Sequence, residues 1–355
     1  MKIELRALRF ADLPVAVGFL RRLRGNGLAQ MVPRVKQFCV LLTLSSLALA
    51  AAGQTKDLPR IGWVLSATAE NGRHLVEAMR AGLADEGLVD GRDVVLDVRF
   101  TAGRPERYPE LFADLMRNPV QVLAAAGLTG ISAARDASSG RIPVAAYFCG
   151  NEVKAMVESF ARPGGNISGV ACLSSELAVK RVQLLKEVVP GLQRIGFLHD
   201  PRSSKEKELG EVRETAARLG MTVTEAVASA PEVIGAAVAS LARDGAQALI
   251  TSEDVFTFGN RALIVAAAAE HRLVDISSFR EFVDAGGMLS YGASNVERLR
   301  QQARYAAKML RGVKPSDLPI DQAMRFEYVV NLKAARALGI TIPPAVLLRA
   351  DDVIQ

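Results

Sequence analysis

Short apolar segments alternate with amphipathic segments along most of the chain, and one apolar segment occurs in two similar copies. Residues 60–65 (RIGWVL) open the first copy, and residues 194–199 (RIGFLH) open the second. A short apolar run bounded by polar residues is typical of a strand buried on both faces of a parallel sheet. The repetition predicts two similar α/β halves, which form two lobes with a cleft between them.

The same pattern predicts strands and helices in regular alternation. The strands lie at 61–65, 94–100, 120–125, 142–148 and 167–173 in the first half, and at 195–199, 222–227, 248–251, 273–276 and 288–291 in the second. The helices lie at 72–86, 107–117, 130–136, 177–188, 206–219, 231–243 and 260–271. This alternation indicates βαβ units and an α/β fold with one doubly wound parallel sheet in each lobe.

A further helix is predicted after residue 294. Ser294 and Glu297 have the spacing of a capping box, in which each side chain binds a backbone N–H group at the start of the helix. Gly312 suits the C-terminal end. Apolar residues between these ends fall on one face, namely Val296, Leu299, Ala303, Ala306 and Leu310.

The first 57 residues have the composition of an export signal. Arg34 and Lys36 precede an apolar stretch at 38–47, and small residues at 48–53 offer a cleavage site. This order predicts a secretory signal peptide, a translation start at Met31 and a periplasmic protein. A membrane anchor or a transit peptide is the alternative, although the apolar stretch is short for a membrane span. The expected divisions are a leader at 1–57, an N-terminal lobe at 58–173, a C-terminal lobe at 174–290, and a crossover segment and tail shared between the lobes at 291–355.

The positive charge of the chain lies in this leader. The formal net charge is +6, from 44 Lys and Arg residues against 38 Asp and Glu residues. Residues 1–50 hold eight of the basic and two of the acidic residues, so the remainder carries 36 of each. A balanced chain has no electrostatic reason to bind nucleic acid or an anionic membrane, and we expect neither as a partner.

Two cysteines, Cys149 and Cys172, remain after the leader, and each follows a predicted strand. An oxidising compartment permits a disulfide between them if the two strands are neighbours. Two buried thiols are the simpler alternative, which we favour because the sequence does not supply the Cα separation that a disulfide requires.

The usual catalytic signatures are missing from the sequence. It contains no G-x-S-x-G elbow, no G-x-x-x-x-G-K-[ST] loop, no H-E-x-x-H and no C-x-x-C. Its three histidines, His74, His199 and His271, are scattered and have no metal-ligating neighbours in sequence. We therefore expect no enzymatic activity, no cofactor and no metal.

Polar residues and glycines follow successive predicted strands, at the edge where open α/β sheets bind ligands. Small hydroxyl groups and glycines allow backbone N–H groups to approach a ligand. Arg280 could hold a carboxylate, and Glu253 or Asp254 could meet an ammonium group. The candidate ligand-binding residues are Ser66, Thr68, Gly127, Thr129, Asn151, Glu152, Glu253, Asp254, Phe256, Arg280, Tyr291 and Gly292.

Aromatic residues refine the expected ligand. They make up only 5% of the chain, and the single tryptophan, Trp63, falls inside a predicted strand. Sugar sites use exposed aromatic faces, so an amino acid or another small organic acid is favoured over a carbohydrate. Phe256, Phe279 and Tyr291 could pack on the apolar part of such a ligand.

Longer blocks of the sequence resemble the solute-binding proteins of ABC importers, in the subgroup related to tryptophan- and tyrosine-binding receptors. The most specific blocks are 159–169 (SFARPGGNISG), 180–187 (KRVQLLKE), 280–287 (REFVDAGG), 290–292 (SYG), 314–319 (KPSDLP) and 338–344 (LGITIPP). The resemblance extends over nearly all of residues 58–355. It implies a type I periplasmic-binding fold, in which two lobes close on a ligand by hinge motion. It also implies delivery of the ligand to an ABC importer permease in the inner membrane, and we expect a monomer.

One position departs from the family, because Asn151 and Glu152 stand where its members often have Asp-Pro. A changed contact there would alter ligand choice. The leading hypothesis is an exported receptor that captures a small molecule in the interlobe cleft. The alternatives are the effector-sensing domain of a lac-repressor-type regulator, which would need a basic DNA-binding domain, and an enzyme on a Rossmann-like scaffold, which would need the absent motifs.

Overall fold

The computed structural model describes residues 58–148, 153–172, 174–203, 205–322 and 325–355 of the 355-residue chain, without the side chains of 174–176. The predicted leader and the proposed start at Met31 lie outside these residues. Within the described part of the chain, no helix has the length and apolar character that crossing a membrane requires.

The strands form two separate sheets. In chain order they are β1 (Arg60–Leu65), β2 (Val95–Phe100), β3 (Val122–Ala126), β4 (Val144–Phe148), β5 (Ile167–Ala171), β6 (Arg194–His199), β7 (Thr222–Val227), β8 (Ala248–Thr251), β9 (Val274–Ser277), β10 (Leu289–Ala293), β11 (Asp321–Gln322), β12 (Phe326–Asn331) and β13 (Asp352–Ile354). The first sheet has the order β11-β5-β4-β3-β1-β2, and the second has the order β13-β12-β10-β9-β8-β6-β7. All described neighbours are parallel except β10 and β12, which are antiparallel.

The two sheets repeat one strand order. The run β2-β1-β3-β4-β5 in the first corresponds to β7-β6-β8-β9-β10 in the second, so the two similar strands β1 and β6 occupy equivalent places. This confirms the predicted fold class of two doubly wound lobes. The strand order reverses next to β1 and next to β6, and such reversal points open a crevice at the carboxyl ends of the strands.

Helices cover the sheets. They are α1 (Arg73–Asp85), α2 (Tyr108–Leu115), α3 (Gly127–Ala137), α4 (Val153–Met156), α5 (Ser174–Val188), α6 (Glu206–Arg218), α7 (Ile234–Arg243), α8 (Val255–Gly259), α9 (Arg261–Glu270), α10 (Arg280–Asp284), α11 (Asn295–Leu310), α12 (Leu332–Leu338) and α13 (Pro344–Leu347). The predicted strands and helices match these elements to within three residues at each end. The sequence did not predict the short helices α4, α8 and α10, or the elements after residue 311 other than the helix end at Gly312. These segments contain too few residues to show a clear period.

The chain passes between the two sheets three times. After β5 it enters α5, which packs on α6, β9 and β10 of the second lobe. After β10 it enters α11, which packs on α1 and on β3, β4 and β5 of the first lobe. After β11 at the edge of the first sheet, β12 returns to the second sheet. The segment after residue 294 therefore contributes to both sheets, while the expected boundaries at 57, 173 and 290 stay predictions.

Helix α11 differs from its predicted form in two ways. Ser294 occupies the N-cap position, but its side chain makes no capping hydrogen bond, so the predicted capping box is wrong. Val296, predicted on the buried face, is 41% exposed, whereas Arg298 and Gln302 are buried. The buried face is rotated and wider than predicted because α11 contacts the first sheet and, through Arg298, the second lobe.

Apolar packing joins the two lobes. One cluster belongs to the second lobe and another lies mainly in the first. A third cluster combines Trp63 and Leu65 of the first lobe with Phe258 and Phe279 of the second. Burial of a large apolar side chain contributes roughly 1.5–3 kcal/mol, so this shared cluster favours contact between the lobes.

Gly169 tests the close approach of two central strands. It lies in β5 opposite Ala146 of β4, and a Cβ atom at Gly169 would come within 1.9 Å of the Ala146 carbonyl oxygen. We expect Gly169→Ala to lower the free energy of unfolding by about 3 kcal/mol, at the upper end for overpacking. Gly210→Ala in helix α6 is the control. A Cβ atom added there has no atom within 4 Å beyond its chain neighbours and the helix's own backbone, and alanine stabilises a helix by about 1 kcal/mol relative to glycine. Urea unfolding of both variants and the wild type measures the change in stability. A Gly169→Ala variant as stable as the wild type would contradict the prediction.

Asp275 predicts a pH dependence of stability. Burial raises the pKa of its carboxyl group to about 6, although its Oδ1 accepts the Met288 N–H at 2.9 Å. Between about pH 4 and pH 6 the folded protein retains a proton that the unfolded chain has lost, so stability falls as pH rises through this window and then levels off. The contribution is about 3 kcal/mol. Asp275→Asn should flatten the curve of unfolding free energy against pH between 4 and 6, and an unchanged slope in the variant would refute this origin.

Candidate functional site

A small cavity of about 40 Å³ lies between the carboxyl ends of the two sheets. Its volume holds on the order of three water-sized groups. Apolar side chains make up most of its wall, with a few polar groups among them, as is usual for a small-molecule site. The lining residues are Trp63, Leu65, Ser66, Leu75, Ala126 and Tyr147 from the first lobe, Asp254, Val255, Phe258 and Phe279 from the second, and Asn295, Leu299 and Gln302 from α11.

The two lobes touch directly around this cavity. Ser66 follows β1, and its hydroxyl donates a hydrogen bond to the Val255 carbonyl oxygen at 2.6 Å. Val255 also covers Gly127, where φ is +65° and a Cβ atom would lie 2.8 Å from Val255 Cγ1. Asn260 Nδ2 donates to the Gly103 carbonyl oxygen at 2.7 Å. These contacts place the lobes in a closed arrangement.

A buried ion pair links the second lobe to α11 beside the cavity. Arg298 Nη1 donates to Glu253 Oε1 at 3.2 Å, and both side chains are at most 2% exposed. Arg298 Nη2 donates to Asn295 Oδ1 at 2.6 Å, and the Cys172 thiol donates to Glu253 Oε1 at 2.8 Å. Since water reaches neither charge, each depends on protein groups or a ligand for its compensation.

The surroundings of this pair are apolar. The Arg298 guanidinium lies 4.2 Å from the ring centroid of Tyr147 and 5.1 Å from that of Phe279, at cation–π distance. Burial lowers the pKa of Arg298 well below its ordinary range. Burial raises the pKa of Glu253, and the positive charge of Arg181 opposes that rise. Both shifts have the same cause, the cost of holding a charge away from water.

Asp254 lines the cavity, but hydrogen bonds within the second lobe occupy its carboxylate. It caps helix α8, with Oδ1 accepting the Thr257 N–H at 2.7 Å, and Oδ2 accepts the Ser252 hydroxyl. This residue therefore orders the loop after β8. Its neighbour Glu253 carries the charge that faces Arg298.

Two polar groups in the cavity wall have no hydrogen-bond partner in the described structure. They are the hydroxyl of Tyr147 and the Oε1 atom of Gln302. Tyr147 is 6% exposed and Gln302 is fully buried. A buried polar atom without a partner is costly, so both atoms require a hydrogen-bonding group inside the cavity.

The structure brings together some of the sequence-predicted site residues. Ser66 and Asp254 line the cavity, Glu253 lies beside it, and Gly127 packs against Val255. Phe256 is fully buried in the core, and the exposed Thr68 forms a turn with Asn71. Thr129 is half-buried in α3 and does not line the cavity. Asn151 and Glu152 lie outside the described residues.

Three further candidates lie on the second lobe away from the cavity. Arg280 forms ion pairs with three carboxylates of its own lobe, those of Asp284, Glu327 and Asp352. Tyr291 pairs with the Tyr328 ring in β12, and its carbonyl oxygen accepts a hydrogen bond from Arg181. Gly292 allows β10 to approach Ser278, whose carbonyl oxygen would lie 1.9 Å from a Cβ atom. As ligand contacts, these candidates stay predictions.

Sequence reasoning missed Tyr147, Arg298 and Gln302. Arg298 and Gln302 are polar residues in an amphipathic helix, and helical periodicity assigns such residues to the solvent face. The available signal was their i, i+4 spacing with Leu299 and Ala303 at the next positions, which puts all four on one side of α11. Phe279, considered on its position after a strand, does line the cavity.

The cysteine and metal predictions can be compared with the described residues only in part. Cys172 is buried, and its sulfur lies 2.8 Å from Glu253 Oε1. Cys149 lies outside the described residues, so the choice between a disulfide and two thiols stays open. Among the described residues, no group of three or more His, Cys, Asp or Glu side chains is arranged to hold a metal ion.

Comparison with known proteins identifies the family. The model of the family described as ABC transporter substrate binding protein matches residues 68–354, most of the chain. No curated protein matches the sequence. The match confirms the resemblance inferred from the sequence blocks, and it describes a protein that binds a substrate for a transporter.

Solved structures share the fold. An ABC domain from Streptococcus pneumoniae in complex with L-Trp has a TM-score of 0.76 at 22% identity, over 84% of this chain and 100% of its own. A conserved domain protein from Vibrio cholerae has a TM-score of 0.76 at 23% identity, with the same two coverages. The ligand-free, open structure of CD0873, a substrate binding protein with adhesive properties from Clostridium difficile, has a TM-score of 0.58 at 19% identity, over 84% and 99%. These likenesses establish the fold.

The Glu253–Arg298 pair predicts strong coupling between its two members. Glu253→Gln leaves the buried Arg298 without its counter-charge, so it should lower the free energy of unfolding by about 3–5 kcal/mol. Arg298→Met should lower it by less, because the positive charge of Arg181 still acts on Glu253. The double variant should lose clearly less than the sum, with a coupling of at least about 1 kcal/mol. Urea unfolding of the wild type and the three variants completes the cycle. Additive losses would show that the pair does not act as a unit.

Proposed function

Because the chain belongs to the ABC transporter substrate binding protein family, we propose that it is an exported receptor that captures an amino acid or a related small organic acid between its lobes. The observation that carries this proposal is the buried Glu253–Arg298 pair beside a mainly apolar cavity. The pair offers one charge of each sign at the place where the lobes meet.

A zwitterion suits such a pair. Its carboxylate would replace Glu253 as the partner of Arg298, and its ammonium group would replace Arg298 as the partner of Glu253. Each buried charge then keeps a counter-charge, so little desolvation energy is lost in the exchange. The rest of the ligand would enter the apolar cavity. The L-Trp complex of a protein with this fold supports an amino acid as one kind of ligand that the fold accommodates.

Entry of such a ligand requires the lobes to move. A cavity of about 40 Å³ is smaller than an amino acid, and direct contacts such as Ser66 to Val255 close its sides. We expect the lobes to part at the three crossing segments, admit the ligand and close on it. The closed, loaded monomer would then deliver the ligand to an ABC importer permease in the inner membrane, after export directed by the leader.

A thermal-shift screen of the common amino acids and small dicarboxylic acids tests the proposal. A ligand that binds only the native state adds about 2.7 kcal/mol of stability at a concentration of 100 times its Kd, which raises the melting temperature. The proposal expects at least one compound to do so, with native mass spectrometry giving one molecule per chain. If no compound of either class binds, the proposed function is wrong.

The Ala126→Leu variant tests whether the ligand binds in the cavity. Ala126 lines the cavity, and the added carbon atoms would fill the open volume, so binding of the compound found in the screen should fall at least about tenfold. Ala236→Leu, at an exposed position of α7, is the matched control and should bind as the wild type does. Arg280→Ala should also retain binding, because three carboxylates of the second lobe already engage Arg280. Unchanged binding by Ala126→Leu would place the ligand elsewhere.

A further inference from the structure

The amide of Gln302 has a determined orientation. Its Nε2 donates to the carbonyl oxygen of Ala125 at 3.1 Å and to that of Ala145 at 2.8 Å, so both amide hydrogens are used on strands β3 and β4. Reversing the amide would place its oxygen against those two carbonyl oxygens, which repels. The Oε1 atom therefore remains as an acceptor, and it has no partner although Gln302 is fully buried.

No described residue of the cavity wall donates a hydrogen bond to this acceptor. Asn295 gives its Nδ2 hydrogen bond to Glu281 at 3.0 Å, and Ser66 gives its hydroxyl hydrogen to Val255. The Tyr147 hydroxyl lies in the same wall and is also without a partner. Most of the wall around these two groups is apolar, from Leu65, Leu75, Val255 and Phe258. A molecule inside the cavity that carries an N–H or O–H group would complete this acceptor.

Resting on the function proposed above, we propose that Gln302 is a specificity-determining residue that selects a ligand whose apolar part carries an N–H or O–H donor. The zwitterionic end of the ligand would meet Glu253 and Arg298, and its side chain would enter the cavity. There its donor would bind Gln302 Oε1, with the Tyr147 hydroxyl close by as a second hydrogen-bonding group. An amino acid with a purely hydrocarbon side chain would leave Gln302 Oε1 unpaired.

Discrimination by such an acceptor is strong. A site built to hydrogen-bond a ligand group rejects the analogue that lacks it, because the buried protein group is left unpaired. An unpaired buried acceptor weakens binding by about 10- to 100-fold. The head groups of the two ligands are identical, so the difference in affinity reports only on the cavity.

Matched ligand pairs of similar size test the inference on the wild-type protein. The pairs are L-threonine with L-valine, L-tyrosine with L-phenylalanine, and L-tryptophan with 3-benzothienyl-L-alanine, in which sulfur replaces the indole N–H. Isothermal titration calorimetry measures the Kd of each compound. For the pair whose size suits the cavity, the donor-bearing member should bind at least about tenfold more tightly.

Variants assign that preference to Gln302. Gln302→Leu should reduce the ratio between the two members of the pair to about threefold or less, and the ratio is a readout that a purely structural role would not move. Gln301→Leu, the neighbouring glutamine on α11 that does not line the cavity, is the matched control and should keep the wild-type ratio. If Gln302→Leu fails to fold because Ala125 and Ala145 lose their donor, the wild-type ratios still decide, together with Tyr147→Phe, which should keep at least part of the preference.

The outcomes separate this inference from the function on which it rests. A donor preference that disappears in Gln302→Leu supports the inference. Equal binding of the two members, or a preference that persists in Gln302→Leu, overturns the inference. The receptor function still stands in that case if Ala126→Leu blocks binding of the ligand. If no member of any pair binds but the screen finds another amino acid or organic acid, the inference alone fails. If the screen finds none, both fail.

Discussion

The buried pair of Glu253 and Arg298 constrains the centre of the molecule. Glu253 stands at the end of a strand in the second sheet, and Arg298 stands on a helix that packs on the first. Since neither charge reaches water, separating them without a substitute would leave two uncompensated charges in an apolar region. The 3.2 Å ion pair thus joins α11, which packs on the first lobe, to the second lobe, alongside the apolar cluster that the lobes share.

The low dielectric that makes this pair costly to break also makes an unpaired polar atom in the cavity wall costly. Tyr147 and Gln302 each present a buried polar atom without a partner, in a wall that is otherwise mostly apolar. Such atoms are stabilised only when something in the cavity completes their hydrogen bonds. The site therefore combines a pair of opposite charges at its edge with two buried polar atoms that have no partner among the described residues. Both follow from burial, because the same groups at the surface would be satisfied by water.

The sequence predicted the fold well and the site only in part. The duplicated strand with Trp63 and Phe197 indicated two equivalent sheets, because a strand buried on both faces leaves a continuous apolar run. Ser66 and Asp254 were found because they follow strands directly. Arg298 and Gln302 were not predicted as site residues, because a polar residue in an amphipathic helix indicates the solvent face unless the packing on both sides of the helix is known. Arg280 has the right chemistry for a carboxylate, but carboxylates of its own lobe satisfy it.

The sequence by itself determined the class of fold, its two similar halves and the family, because these depend on apolar periodicity and on long blocks of residues in order. Only the tertiary structure decided which polar residues face the cavity. That choice depends on where α11 lies, and α11 follows the second sheet in sequence while it packs on the first. A short-range pattern describes one face of a helix relative to its own axis. It does not indicate which of the two sheets that face packs against, and this packing decides the chemistry of the site.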